Sequence, residues 1–358
     1  LNWHMVADEA AYVVRDCEAK ALIADPRFAD VALALAGVLP GATKLALGSG
    51  LPGFESYDRA LAGEASGDIA DPVLGSAMLY TSGTTGRPKG VYRVHSPLEL
   101  LGAIVETAAL KPGDDLALNT GPLYHAAPLR LNLQLPLNCG VGVYLMDKWT
   151  PEETLALVER RRITHTHVVP TMFHRLLALP AAVRQRHDLS SLRWVLHGAA
   201  PCPPMVKQAT IDWLGPILYE YYAGTEGGGT LIDSHEWLKR PGSIGRPAAG
   251  CRVEVHDDAG NRLPPGESGR IFVYTAPEKR FVYFKDPAKT AAAWDGDWFT
   301  MGDVGYCDAE GYFFLSGRSA ETIISGGVNI YPAEIDAVLL QHPAVEDVAT
   351  IGAPNDEW

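Results

Sequence analysis

The sequence predicts an α/β fold with a mostly parallel sheet, followed by a small antiparallel β part. The first evidence is an alternation of amphipathic helices with short apolar strands: a helix over 8–18, a strand over 21–24, a helix over 29–37 and a strand over 44–47. This alternation is typical of βαβ units. The second piece of evidence is a change in the sequence pattern after residue 241, from alternating helices and strands to consecutive strands.

The antiparallel part is predicted over residues 241–317. Apolar and β-branched runs at 253–256, 269–274 and 311–315 are typical of strands, and 257–261 has the composition of a hairpin turn. We interpret 241–247, which is rich in glycine and proline, as a turn. Residues 48–74 are predicted to be a surface connection.

Composition narrows the classes of protein. The chain has 358 residues, a hydrophobic fraction of 47%, a charged fraction of 20% and a formal net charge of −13. Length suggests about two domains. The negative charge argues against broad binding of nucleic acid or anionic membranes. No apolar run is long enough for a transmembrane helix. The N-terminal residues lack the pattern of a signal peptide.

Cysteine usage agrees with a reducing compartment. The five cysteines are scattered and contain no C-x-x-C pair, which argues against a disulfide framework or a structural zinc site. The predicted location is the cytoplasm, and homo-oligomerisation stays open.

A stretch rich in glycines and hydroxyls, YTSGTTGRPKGV at 80–91, is the strongest local feature. It follows the apolar run 77–80, which we interpret as a buried strand. Glycines expose backbone N–H groups, while hydroxyls, Arg87 and Lys89 add donors and charge, so a polyphosphate is the expected ligand. It is not a Walker A loop, because Pro88 and Gly90 break that pattern. A flexible polar linker is the alternative.

Two histidine-bearing segments come next. A helix over 97–110 and a strand over 116–119 lead to the loop 121–128, from which Tyr124 and His125 can project. His125 is either a ligand-facing group or a capping or buried histidine. In the predicted strand 164–170, His165 and His167 share a face. A metal site with His174 is disfavoured, because no acidic or cysteine ligand stands at metal spacing.

Two further strands end in small or polar residues. The strand 193–196 runs into His197-Gly198-Ala199-Ala200, and the strand 217–221 runs into Tyr222-Ala223-Gly224-Thr225-Glu226. Small residues at a strand end leave room for a flat ligand. Glu226 is suited to Mg²⁺, which prefers carboxylate, phosphate and water oxygens. The alternative for Glu226 is an ordinary exposed acid in a loop. Asp303, which follows Gly302 further along the chain, is a second candidate carboxylate, and its alternative is an ordinary turn aspartate.

Five stretches, taken in order, resemble motifs of the adenylate-forming (AMP-binding) superfamily, in its acyl- and aryl-CoA synthetase, fatty-acid-CoA ligase-like branch. These stretches are 80–91, 121–128, 222–226, 298–305 (with Met301 between Thr300 and Gly302) and 317–332. The resemblance covers nearly the whole chain. The loop within 323–332 favours CoA ligases over peptide-synthetase adenylation domains.

The resemblance implies roles for individual residues. For ATP or AMP it implies contacts from Thr81, Ser82, Gly83, Thr84, Thr85, Gly86, Lys89, Gly198, Ala199, Ala200, Tyr222, Thr225, Asp303 and Arg318. Tyr222 would stack on adenine, Thr225 would bind the α-phosphate, and Asp303 and Arg318 would bind ribose. Glu226 would hold Mg²⁺. The implied catalytic group is Thr225, Glu226, His125 and Lys89, and the implied acyl pocket contains His125, Ala223 and Gly224.

The implied reaction is ATP-dependent ligation of a carboxylic acid to CoA through an acyl-adenylate. The cofactors and co-substrates would be ATP, Mg²⁺ and CoA. The acid could be fatty, aryl or steroid-like, because Ala223, Gly224 and the glycines at 227–229 could leave space for a bulky group.

The resemblance also implies a domain division. We expect an αβ part of the large domain at 1–240, a β subdomain at 241–317, and a hinge with the start of a small α+β domain at 318–358, including a helix over 332–341 and a strand over 346–351. Ala320 stands where the family usually has a hinge Asp or Lys.

By the same comparison we expect the chain to be a fragment at both ends. No residue corresponds to the family's C-terminal catalytic lysine. A truncated relative that binds nucleotide or acyl-AMP without turnover is therefore the alternative function.

Overall fold

The structure is a computed structural model. It describes residues 1–73, 75–81, 87–95, 99–321, 323–325, 328–340, 342, 344–345 and 348–353. The chain divides into two compact units, Leu1–Val94 with Phe281–Thr290, and His95–Arg280 with Ala291–Trp358. The predicted domains 1–240, 241–317 and 318–358 are a different division and stay a prediction.

The helices in the described residues have the following bounds: α1 Ala7–Asp16, α2 Ala29–Val38, α3 Tyr57–Ala62, α4 Glu99–Ala108, α5 Leu135–Asn138, α6 Pro151–Arg161, α7 Pro170–Ala178, α8 Ala181–Arg184, α9 Pro204–Leu214, α10 Ser234–Trp237, α11 Pro287–Ala293 and α12 Pro332–Leu339. A π-helix, Pro128–Gln134, leads directly into α5.

The strands have the following bounds: β1 Ala21–Ala24, β2 Thr43–Ala46, β3 Glu55–Ser56, β4 Leu79–Thr81, β5 Lys89–Tyr92, β6 Leu116–Asn119, β7 Gly142–Leu145, β8 His165–Val168, β9 Trp194–His197, β10 Leu218–Gly224, β11 Gly227–Asp233, β12 Ser243–Pro247, β13 Val253–His256, β14 Gly269–Tyr274, β15 Val282–Tyr283, β16 Trp294–Asp295, β17 Trp298–Phe299, β18 Asp303–Cys307, β19 Phe313–Arg318, β20 Ile323–Ser325 and β21 Val328–Ile330.

One large sheet forms the centre of the second unit. Its parallel half runs in the order β7-β6-β8-β9-β10, and antiparallel pairing continues it through β11, β12, β19, β18, β14, β17 and β16, with β13 beside β14. The predicted α/β class with a small antiparallel part is confirmed. The antiparallel strands extend the parallel sheet by continuous hydrogen bonding.

Both faces of the parallel half are covered. On one face Val195 and Leu218 pack with Phe173 of α7 and Ile211 of α9. On the other face Trp194, Leu196 and Tyr221 pack with residues of α4 and α5. Every residue of β8 and β9 is buried, as expected for parallel strands between helical layers.

The first unit contains two small sheets. Strands β1, β2 and β3 are parallel, with α1 and α2 packed on them through Ala10, Val14, Leu22 and Leu35. Strands β4, β5 and β15 form an antiparallel sheet. The predicted strand is therefore present over residues 79–80, but it is a half-buried arm of an antiparallel hairpin, so the interpretation of this run as buried is wrong.

Several local predictions also need correction. Residues 243–247 form β12, although they were interpreted as a turn, and the expected surface connection 48–74 contains β3 and α3. The described residues of the predicted strand 346–351, namely 348–351, are not in a strand. The π-helix was not foreseen. No helix in the described residues is both long and apolar enough to cross a membrane.

Core packing gives the first prediction. Leu118 in β6 is fully buried, whereas Leu145 on the adjacent β7 is 51% exposed. We expect Leu118→Ala to lower the free energy of unfolding by about 2–5 kcal/mol, because it removes buried methyl groups and leaves a cavity. Leu145→Ala should change it by less than about 1 kcal/mol. Urea denaturation measures both values, and equal losses would contradict this assignment of the core.

Candidate active site

The candidate site of the second unit lies where β9 and β10 end. The two strands are parallel, with His197 opposite Glu220, so both deliver their next residues to the same edge of the sheet. Gly198 follows β9, and a Cβ on it would lie 2.6 Å from the carbonyl oxygen of Tyr221, so only glycine fits there. Ala199 adopts a left-handed φ of 68°. The turn after His197 thus presents small residues beside the end of β10.

Three predicted nucleotide-binding residues come together in this unit. The hydroxyl of Tyr222 donates to Asp303 Oδ2 at 2.7 Å, and Arg318 Nε lies 3.2 Å from Asp303 Oδ1. Antiparallel pairing of β18 with β19 places Asp303 directly opposite Arg318. Burial and the Asp303 carboxylate raise the pKa of Tyr222 well above its ordinary value, so its hydroxyl stays a donor. The Asp303 carboxylate is therefore held from two sides.

Thr225 and Glu226 occupy the turn between β10 and β11. A Cβ on Gly224 would lie 3.1 Å from Glu226 Oε2, so the carboxylate folds back beside the hairpin. The same position would be 2.6 Å from Met301 Sδ. The segment before Asp303 thus packs on the turn that carries the predicted magnesium ligand.

Neighbouring side chains approach the glycines of this hairpin closely. A Cβ on Gly227 would meet Phe299 at 2.9 Å, one on Gly228 would meet Ala223 at 2.2 Å, and one on Gly229 would meet Val253 at 2.6 Å. Met301 lies in the same way beside Gly224. The glycines thus permit close packing of these segments, and space for a bulky acyl group stays a prediction.

His125 lies in the loop that precedes the π-helix. Its ring centroid is 4.7 Å from that of Tyr124, and partial desolvation lowers the pKa of His125. The predicted loop ends earlier than expected, because helical structure begins at Ala126. A role of His125, Ala223 and Gly224 in an acyl pocket stays a prediction.

The remaining predicted residues fall elsewhere. In the first unit, Thr81 ends β4 opposite Lys89, which begins β5, so both flank the predicted phosphate loop. Ser82, Gly83, Thr84, Thr85 and Gly86 lie outside the described residues. The backbone of Ala320 is in a short 3₁₀ turn, and its side chain also lies outside them.

Sequence reasoning missed a buried charge cluster beneath the site. Lys207 of α9 is fully buried, and its Nζ lies 2.5 Å from Glu220 Oε2 and 4.9 Å from the Trp237 ring centroid. His197 Nε2 lies 3.7 Å from the same carboxylate oxygen. Burial raises the pKa of Glu220 and lowers that of His197. A glutamate within the apolar run 217–221 was the signal that could have indicated a buried partner.

The other strand histidines are accounted for by hydrogen bonds. His165 Nε2 lies 2.7 Å from the carbonyl oxygen of Ala108, and His167 Nε2 lies 3.0 Å from the Tyr221 hydroxyl. Burial lowers the pKa of His167 to about 4, so its imidazole is neutral at pH 7. His174 lies within α7, which begins at Pro170.

The fold and site define a class of protein. The family model for AMP-binding enzymes matches residues 1–276, so the chain belongs to the AMP-binding enzyme family. The predicted resemblance to adenylate-forming enzymes is thereby confirmed.

The similar curated proteins are acid–thiol ligases. An indoleacetate–CoA ligase from Aromatoleum aromaticum is 33% identical over 366 aligned residues, which cover 100% of this chain and 71% of that protein. A feruloyl-CoA synthase from an Amycolatopsis species is 38% identical over 286 residues, covering 78% of this chain and 57% of that protein. The chain thus spans about 57–71% of the length of these relatives.

Solved structures show the same fold. ATP-bound MatB from Rhodopseudomonas palustris has a TM-score of 0.84 at 30% identity, covering 100% of this chain and 70% of that one. MenE from Bacillus subtilis, an O-succinylbenzoate–CoA synthetase solved with ATP and a magnesium ion, has a TM-score of 0.81 at 27% identity, covering 99% and 71%.

The buried ion pair gives the second prediction. Lys207→Met leaves the Glu220 carboxylate buried without its cation, which should cost about 3–5 kcal/mol of the free energy of unfolding. This loss of unfolding free energy relative to wild type should grow as the pH rises. Because burial raises the pKa of Glu220 in the folded state, the unfolded state ionises first, near the ordinary pKa of 4.5, and stability falls as pH rises beyond it.

Denaturation of wild type and Lys207→Met at pH 5 and pH 8 measures this effect. The double variant Lys207→Met/Glu220→Leu is the control, since it removes both charges, and it should recover much of the loss. A deficit that is the same at both pH values would contradict the ionisation of Glu220 as its cause.

Proposed function

We propose that the protein is an ATP-dependent carboxylic acid–CoA ligase that forms an acyl-adenylate and then an acyl-CoA thioester. The observation that carries this proposal is the Asp303 carboxylate held between Tyr222 and Arg318, beside the Thr225–Glu226 turn, in a member of the AMP-binding enzyme family. Family membership supports the use of ATP, and the curated relatives support an acid and CoA as the other substrates.

Asp303 is suited to the ribose of ATP. One carboxylate oxygen accepts a hydrogen bond from the Tyr222 hydroxyl, and the other forms an ion pair with Arg318. A carboxylate oxygen has two lone pairs, so each can accept a second bond from one of two adjacent ribose hydroxyls. The two protein bonds fix the carboxylate before the nucleotide arrives, which reduces the ordering cost of binding.

The turn after β10 is suited to the α-phosphate and its metal ion. The Thr225 hydroxyl can donate to a phosphate oxygen, and the Glu226 carboxylate is a hard oxygen ligand of the kind that Mg²⁺ takes together with phosphate and water. Bound Mg²⁺ would neutralise phosphate charge. From the resemblance, we assign the β- and γ-phosphates to Thr81, Ser82, Thr84, Thr85 and Lys89.

The reaction follows from charge neutralisation and positioning. A carboxylate oxygen of the acid attacks the α-phosphorus, the bond to the bridging oxygen of pyrophosphate breaks, and pyrophosphate leaves with the electron pair. The CoA sulfur then attacks the acyl carbon, the thiol loses its proton, and AMP leaves. His125, with its lowered pKa, is our candidate for a neutral group beside the acid.

We infer an aryl or fatty acid as the substrate class. Similar curated proteins act on indoleacetate, ferulate, 2-succinylbenzoate and long-chain fatty acids. We rank a steroid-like acid below these, because none of these four relatives is named for a steroid substrate.

The magnesium ligand gives the third prediction. We expect Glu226→Gln to lower the rate of MgATP-dependent pyrophosphate release on the order of a hundredfold, since it removes one preorganised charge at the phosphates. The free energy of unfolding should change by less than about 1 kcal/mol, because the residue lies in a turn.

Glu267→Gln is the matched control, because Glu267 is an exposed glutamate in a turn of the antiparallel part of the same unit. It should retain wild-type activity. If Glu226→Gln is as active as wild type at limiting Mg²⁺, the assignment of Glu226 is wrong.

The substrate class gives the fourth prediction. The purified protein, with MgATP and CoA, should release pyrophosphate with aryl or fatty acids and not with polycyclic steroid acids. Mass spectrometry should detect the acyl-adenylate when CoA is omitted and the acyl-CoA when it is present. Nucleotide binding without pyrophosphate release from any acid would favour the binding-only alternative.

A further inference from the structure

Two aromatic rings lie beside the two cations of the predicted phosphate-binding stretch 80–91 in the first unit. Arg87 Cζ lies 5.4 Å from the centroid of the Tyr12 ring, and Lys89 Nζ lies 4.8 Å from the centroid of the Tyr283 ring. Both distances are within the range of a cation–π interaction. Each cation is thus matched with its own tyrosine, one from α1 and one from β15.

The same elements also fix the two arms of the hairpin. The Tyr12 hydroxyl donates to the carbonyl oxygen of Pro88 at 3.2 Å, and the Tyr80 hydroxyl donates to Asp16 Oδ2 at 2.5 Å. Both Tyr12 and Asp16 belong to α1, so this helix contacts the hairpin on each side of the loop. On the other edge, β15 pairs with β5, which places Tyr283 opposite Val91.

An aromatic ring beside a cation leaves the charge of the cation available to an anionic ligand, whereas a neighbouring carboxylate does not. A ring face attracts a cation through its quadrupole but carries no net charge, so the cation keeps its charge for an anionic ligand. A carboxylate would neutralise the cation and compete with phosphate for its N–H donors. Among the described residues, neither Arg87 nor Lys89 forms an ion pair.

The nearby acidic groups are already engaged. Backbone and side-chain hydrogen bonds from Lys289 lower the pKa of Asp286, and the charge of Lys89 adds a smaller contribution. The Asp286 carboxylate pairs with Lys289 at 3.0 Å and accepts a hydrogen bond from its backbone N–H. The Asp16 carboxylate accepts the Tyr80 hydroxyl, and the Asp16 carbonyl accepts from Lys285 Nζ. Lys285 in turn pairs with Glu18.

We propose that Tyr12 and Tyr283 are positioning residues, which hold Arg87 and Lys89 without neutralising them so that both cations meet the polyphosphate of ATP. This inference rests on the proposed function, since it concerns the same nucleotide. It adds two residues that lie outside the phosphate motif itself. The tyrosine rings act through the cations and do not themselves contact the phosphoryl groups.

The test compares leucine with phenylalanine at each tyrosine. Tyr283→Leu and Tyr12→Leu remove the ring face and should raise the dissociation constants for MgATP and for magnesium pyrophosphate about threefold to tenfold. Tyr283→Phe keeps the ring and should stay within about twofold of wild type. The Tyr12→Phe variant should bind both ligands more tightly than Tyr12→Leu does, although it lacks the hydrogen bond to the carbonyl oxygen of Pro88. Calorimetry measures each constant.

AMP provides the readout that separates positioning from general loss of structure. AMP has no β- or γ-phosphate, so its dissociation constant should stay within about twofold of wild type in the leucine variants. Tyr57→Leu is the matched control, because Tyr57 is a half-buried tyrosine at the start of α3 in the same unit. Tyr57→Leu should leave the dissociation constants of MgATP, magnesium pyrophosphate and AMP unchanged.

A double-mutant cycle tests whether Tyr283 acts through Lys89. In a Lys89→Met background, Tyr283→Leu should have no further effect on pyrophosphate binding, because the cation that the ring holds is absent. Additive effects, or equal weakening of AMP and MgATP binding, would overturn the proposal.

The outcomes for wild type separate the two levels of inference. Wild type that binds neither MgATP nor pyrophosphate overturns the proposed function together with this inference. Wild type that binds both, with leucine variants that bind as tightly as it does, overturns the role of the tyrosines and leaves the ligase proposal intact. If Tyr283→Leu does not fold, Tyr12→Leu and the two phenylalanine variants still decide the question.

Discussion

The parallel pairing of β9 with β10 is the constraint on which the candidate site depends. With His197 opposite Glu220, the turn at 198–200 and the hairpin that starts at Tyr222 leave the sheet side by side. A shift of one residue would turn every side chain of β10 to the opposite face. Tyr221 would then take the place of Tyr222 as the tyrosine beside Asp303. Packing on both faces fixes this register, because a shift would move Leu218 away from Phe173 and Ile211 and would separate Glu220 from Lys207.

The polar groups inside this sheet are held in two different ways. The neutral imidazoles of His165 and His167 each have a hydrogen-bond partner, which compensates for burial. Lys207 and Glu220 are charged, and their burial is compensated by each other and by the Trp237 ring. Such a pair is a poor source of net stability, because desolvation offsets the attraction. Its consequence is geometric, since it ties α9, and hence the end of the 198–203 segment, to β10.

The sequence predicted elements best where one local pattern determined them. The bounds of β6, β13 and β14 agree with the predicted strands 116–119, 253–256 and 269–274, because each is a short apolar run between polar turns. The π-helix Pro128–Gln134 was missed, since its residues have no distinctive period and two prolines stand near it. The partner of β4 was also missed, because apolar content alone does not distinguish an antiparallel hairpin arm from a buried parallel strand.

The candidate site was predictable as a set of residues and unpredictable as a set of contacts. The sequence assigned Tyr222, Asp303 and Arg318 each to the nucleotide. Their contacts with one another depend on two features that the sequence does not show: the pairing of β18 with β19, and the contact of Asp303 with Tyr222, which lies about 80 residues earlier in the chain. Tyr12 was not foreseen, since its relation to Arg87 joins residues 75 positions apart. Long-range pairs of this kind leave no local periodicity in the sequence.

The small residues after β10 illustrate the limit of reasoning from residue size. A run of glycines is compatible with an empty pocket and with close packing, and only the neighbours distinguish the two. Here Phe299, Met301 and Val253 approach the backbone so closely that a Cβ would not fit beside Gly227, Gly224 or Gly229. Glycine at these positions therefore lets the segment that carries Asp303 lie directly on the hairpin that carries Glu226. The same close approach brings the two carboxylates of the candidate site onto adjoining segments of the chain.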